Sequence, residues 1–125
     1  LENLNKVIKL TQDLGLPLLG GTEMNSPGQK FVDDFASAEL APHHPVFLRG
    51  SWILHAHSTL QRYGGMGYLS EWAGDQFSDL ASKNEFYSSF GESFSPRGDQ
   101  ILKDSLNSEM SASEVSELAT RAMSV

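Results

Sequence analysis

The chain has no cysteine. That excludes disulfides, thiolate nucleophiles and cysteine-ligated zinc together, so any metal ion would be held by His, Asp or Glu. Cations are scarce as well: 9 Lys and Arg stand against 16 Asp and Glu, a formal net charge of −7. Phosphate backbones are bound by clustered Lys and Arg, so nucleic acid is not an expected partner. No apolar run approaches the roughly 18 residues of a membrane span, and no basic-then-apolar leader precedes the first helical pattern. The expected setting is soluble and cytoplasmic, with no membrane partner. No block of like charge is long enough for a disordered acidic tail.

What is there fits one hydrophobic core in a single domain: 125 residues, 39% of them hydrophobic, a size at which single domains are common. Leu1, Leu4, Val7, Ile8, Thr11 and Leu14 form a helical stripe with no capping residue ahead of it, and Gly15 can end that helix in the left-handed conformation. The uncapped start and the non-methionine first residue suggest the C-terminal piece of a longer protein. Leu16-Pro17-Leu18-Leu19 reads as a short buried strand, and Arg49 to Leu54 as a second. Between them, Phe31 to Ala36 reads as a short helix with Asp33 and Asp34 near its start. From Met66 onward the pattern is helical. Ser95 with Pro96 marks one helix start, and Ser111 with Glu114 forms a capping box before the stripe Val115, Leu118, Ala119, Ala122 and Met123. The expected fold class is α/β and helix-rich: an α/β unit over 1–65 with one or two short buried strands, then a helical region over 66–125.

The most chemically loaded stretch is His55-Ala56-His57, at the end of the apolar run Trp52-Ile53-Leu54. On a strand, residues i and i+2 share a face, so both imidazoles could close on one metal ion. A run this short has no decisive period, and on a helix the same two side chains point about 200° apart. Glu23 follows two glycines at the end of the first expected strand and is the best third ligand. Its plain alternative is a surface carboxylate bonded to the turn Ser26-Pro27-Gly28. Arg62 leads into the turn of Gly64, Gly65 and Gly67, and a glycine-rich turn feeding a helix leaves amides free to cradle an anion, with the guanidinium adding a donor fork. Neither a Walker nor a dinucleotide motif is present. His43 and His44, between two prolines, read as a rigid exposed loop. Ser58 and Thr59 read as capping residues, since no Gly-x-Ser-x-Gly elbow surrounds them.

Leu54-His55-Ala56-His57-Ser58-Thr59 resembles the first motif of the polymerase and histidinol phosphatase (PHP) family of metal-dependent phosphoesterases. Leu18-Leu19-Gly20-Gly21-Thr22-Glu23 is similar to that family's strand ending in Gly-x-Glu. The resemblance implies the C-terminal part of a distorted barrel, a divalent metal such as zinc or manganese, and hydrolysis of a small phosphorylated substrate by metal-activated water. The motif order is reversed relative to the family, and its Ser-Asp-x-His motif is missing unless Gly21-Thr22-Glu23-Met24-Asn25 stands in its place. Two functions follow. One is a metal-dependent phosphoesterase, or a portion of one, with Glu23, His55 and His57 on the metal and Arg62 with Gly64, Gly65 and Gly67 on the phosphate. The other is a helical accessory or protein-interaction domain without catalytic activity, packing against the N-terminal remainder of its parent protein and exposing an apolar docking surface.

Overall fold

Among the described residues the regular structure is helical, with a long irregular stretch over 14–40. The computed structural model describes residues 2–23 and 25–124, and no strand occurs among them. In order come α1 (Glu2–Asp13), α2 (His44–Gly64), α3 (Glu71–Gln76), α4 (Leu80–Ser93), α5 (Asp99–Ser105) and α6 (Ala112–Met123), with single 3₁₀ turns at Ala41–His43 and Pro96–Gly98. The α/β expectation, with one or two buried strands, is therefore corrected to an all-helical fold. None of the helices is long and apolar enough to cross a membrane, among the described residues.

Both strand expectations fail for identifiable reasons. Leu16 to Leu19 has no regular structure and joins no strand, and Leu16 and Leu19 remain half exposed. The run Arg49 to Leu54 lies inside α2, a 21-residue helix. Its buried positions Phe47, Gly50, Ile53, Ala56 and Leu60 recur every three to four residues, with Thr59 buried beside the last. The short apolar window around Ile53 hides that period. Phe31 to Ala36 is irregular rather than helical. Asp34 Oδ1 accepts from the Ala36 amide at 3.0 Å, a local side-chain turn that competes with helix, and Phe31, 82% exposed, has no core to face.

Two compact units emerge, Leu1–Ser51 and Trp52–Val125, with the boundary inside α2. In the first, α1 ends at Gly15 (φ 66°). The Gly15 amide donates to the Gln12 carbonyl at 3.1 Å and the Leu16 amide to Thr11 at 2.8 Å, the paired bonds of a Schellman cap. The Phe35 and Phe47 rings meet edge-on at 5.9 Å. Gly50 is buried where the Leu18 backbone meets α2, and a Cβ there would stand 2.0 Å from the Leu18 carbonyl oxygen.

The second unit holds the large core. Ile53, Ala56 and Leu60 of α2 pack with Trp72, Tyr87, Phe90, Phe94, Leu102, Val115 and Leu118. Aromatic pairs run through it, Phe77–Phe86 and Phe86–Tyr87 both at 5.1 Å. The polar ends of the large rings are satisfied: Trp72 Nε1 donates to the Met110 carbonyl and the Tyr87 hydroxyl to the Met66 carbonyl, each at 2.7 Å. The helices start where side chains replace missing backbone partners. Ser70 caps α3, Asp79 caps α4, and Ser111 with Glu114 closes a capping box on α6.

Candidate functional site

Helix α2 decides where the sequence-predicted residues point. With about 100° between successive residues, His55 and His57 leave the helix in different directions, so the shared metal face expected of a strand does not form. The His57 ring turns to the end of its own helix: Nδ1 accepts from the Tyr68 amide at 2.9 Å. That nitrogen is thereby committed within the protein. His55 instead lies against Phe94, the rings stacked with centroids 5.9 Å apart.

Glu23 belongs to the first unit and is exposed. Its carbonyl oxygen accepts from the Gln29 side chain, whose Oε1 takes the Asn25 amide; Gln29 thus closes the turn that the carboxylate was expected to bond. Asp33 is engaged with Thr22, whose hydroxyl donates to its Oδ2 and accepts from its amide. His43 sits in the 3₁₀ turn and His44 opens α2. Among the described residues no group of three His, Asp or Glu is placed to hold a metal ion.

The glycine turn after Arg62 ends a helix instead of opening one. Gly64 is the last residue of α2, and Gly65 takes the left-handed conformation (φ 66°). The amides are spent on that ending. Gly65 N donates to the Gln61 carbonyl, Met66 N to the Leu60 carbonyl, Gly67 N to Gln61 Oε1 and Tyr68 N to His57. No row of free amides is left to cradle an anion, and the next helix is capped separately by Ser70. A Cβ on Gly67 would lie 2.5 Å from Gln61 Oε1 and 2.8 Å from His57 Nδ1, so glycine is what lets both side chains reach this turn.

What α2 does assemble is a different set. His55, Ser58, Thr59 and Arg62, spaced i, i+3, i+4 and i+7, share one stripe of the helix and line a cleft of about 260 Å³ closed by Tyr63, Phe94, Pro96 and Asp99. All of these belong to the second unit. The Tyr63 hydroxyl donates to Asp99 Oδ2. That bond raises the phenol above its ordinary value, desolvation adds to the rise, and the neighbouring Arg62 guanidinium opposes it. His55 and Arg62 were singled out in the sequence for separate chemistries, and the structure brings them to one cleft. Thr59, Tyr63 and Asp99 were not. Recognition of α2 as a helix would have placed Thr59 beside His55 and Arg62. Asp99 lies 36 residues from Tyr63, beyond any local signal.

No family model, no curated protein and no solved structure matches the chain.

Proposed function

We propose that the chain is a helical protein-interaction module that docks a partner protein through an apolar surface on its N-terminal unit. One observation carries this reading. Of the α1 side chains, Ile8 alone is buried, while Val7, Leu10 (58% exposed) and Leu14 stay in solvent, followed beyond Gly15 by Leu16 and Leu19. Positions 7, 10 and 14 fall within about 60° on the helix surface, so they form one stripe beside the edge that Ile8 occupies. The apolar face of α1 is thus wider than the part the unit covers, and exposed apolar stripes of this kind mark interaction sites.

The phosphoesterase reading rests on Glu23, His55 and His57 meeting at one ion, and the helical placement of the two imidazoles takes away its geometric premise. The two readings separate experimentally. A photo-crosslinking residue placed at Leu10 should capture one discrete partner in the native host, the same residue at exposed Lys103 should not, and Leu10→Ser with Leu14→Ser should abolish capture without loss of helicity. Equal capture at both positions refutes the module. One equivalent of zinc or manganese in protein purified without chelator, lost in His57→Ala together with phosphatase activity, would favour the hydrolase.

A further inference from the structure

The cleft on α2 has features that neither capping nor core packing explains. Thr59 is 8% exposed and lines it, yet its hydroxyl makes no side-chain hydrogen bond among the described residues, whereas Ser58 next to it donates to the Leu54 carbonyl at 2.9 Å. No side-chain polar atom in the described structure is both sealed from solvent and without a partner, so the Thr59 hydroxyl opens into the cleft. The second feature is a pair of opposite charges that do not meet. Arg62 and Asp99 both line the cleft, but the ion pairs formed among the described residues are Lys6–Glu2 and Lys9–Asp13. The Tyr63 phenol is bonded to Asp99 and influenced by Arg62. The third feature is the half-buried His55 ring at the other end of the stripe, stacked on the buried Phe94.

A guanidinium and a carboxylate that line one small cleft without pairing suit a ligand head that carries both charges. A free α-amino acid has such a head, with carboxylate and ammonium on one carbon. We propose that this cleft binds a free α-amino acid with a flat apolar side chain. Its carboxylate is held by Arg62 and the Thr59 hydroxyl, its ammonium by Asp99, and its side chain lies against the His55 ring. Asp99 can accept the ammonium and keep the Tyr63 bond, since an ionised carboxylate has about four lone-pair sites. The guanidinium fork matches a carboxylate in shape as well as charge. The volume, about 260 Å³, lies below the roughly 300–1,000 Å³ of sites for drug-sized ligands, which restricts the occupant to a molecule of this size. A peptide end has only one of the two head charges and is discriminated against. This inference does not depend on the docking role of α1, since every residue it uses lies in the second unit.

The test is a titration of the ¹⁵N-labelled full chain with L-phenylalanine, N-acetyl-L-phenylalanine, L-phenylalaninamide and glycine, following the amides of residues 55–63 and 94–99. L-Phenylalanine should shift these amides saturably, and each of the other three, lacking the ammonium, the carboxylate or the side chain, should bind at least about ten-fold more weakly. Arg62→Gln and Asp99→Asn should each weaken L-phenylalanine by about ten-fold, and Thr59→Val by about three-fold with an unchanged thermal midpoint. No saturable shift up to about 10 mM, a very weak affinity, would overturn the assignment. So would equal binding of the acetylated or amidated compound, or an Arg62→Gln protein that binds as the wild type does.

Discussion

Tyr87 is fully buried, and its hydroxyl donates to the Met66 carbonyl in the turn after α2. Burial pushes the phenol well above its ordinary value of 10.0, with a smaller contribution from the nearby Tyr68. Below pH 10 the native and unfolded states are both neutral at this group and its contribution to stability is complete. Above it the unfolded chain gives up a proton that native Tyr87 keeps, so stability falls as pH rises toward the native value. Thermal midpoints measured from pH 9 to about 11.5 should therefore drop steeply, and less steeply in Tyr87→Phe, which at neutral pH costs about 1–3 kcal/mol for the unpaired Met66 carbonyl. At acid pH the sign reverses for Glu114, which the Ser111 amide and hydroxyl hold below the usual carboxylate range. Its contribution is present above the unfolded value of 4.5 and is lost as pH falls through the native one. Ser111→Ala should cost about 1 kcal/mol near neutrality and flatten the acid limb of the stability curve.

The glycines of the helices sort by what a methyl group would meet. A Cβ on Gly91 of α4 would lie 1.9 Å from the Trp52 carbonyl oxygen of α2, backbone against backbone, where no side-chain rotation can relieve it. Gly91→Ala should cost about 3 kcal/mol in chemical denaturation. At Gly74 of α3 nothing lies within 4 Å, and there alanine should be neutral or stabilising by up to about 1 kcal/mol, through helix propensity. Ser111 with Glu114 and Gly15 are local signals, and each produces the expected cap or stop, whereas Ser95 with Pro96 caps a 3₁₀ turn and the α-helix expected there begins at Asp99. Helix α2 was not legible in the same way. Its buried positions span Phe47 to Leu60, a longer window than the Trp52-Ile53-Leu54 run that invited a strand, and its two ends carry proline and glycine.

Across the molecule, burial is unevenly distributed. Among the described residues, Ile8 and Phe47 are the buried large apolar side chains of the first unit, whereas the second gathers a continuous cluster from Ile53 to Ala119. Backbone openings need little energy where few apolar contacts must be broken. Hydrogen exchange should accordingly find the amides of 29–40 weakly protected, while those of Leu118 and Phe90 exchange only with global unfolding. Comparable protection in both regions would contradict this division. Core truncation should show the same asymmetry: Leu60→Ala, at a fully buried position, should cost about 3 kcal/mol, and Leu10→Ala in α1 well under 1 kcal/mol.

Residue types, spacings and local caps determined the absence of thiol chemistry, the acidic surface, and the helix boundaries near Gly15, Ser95 and Ser111. These depend on groups within about four residues of one another, and such information is present in any short window of the chain. Tertiary structure alone decided that the histidine run is coiled, which separates His55 from His57 and aligns His55 with Thr59 and Arg62. It also decided that the Gly65 turn consumes its own amides, and that Asp99 meets Tyr63. Each of these outcomes turns on which face of α2 the core accepts, and that choice is made by Tyr87, Phe90 and Phe94, side chains from a distant part of the polymer.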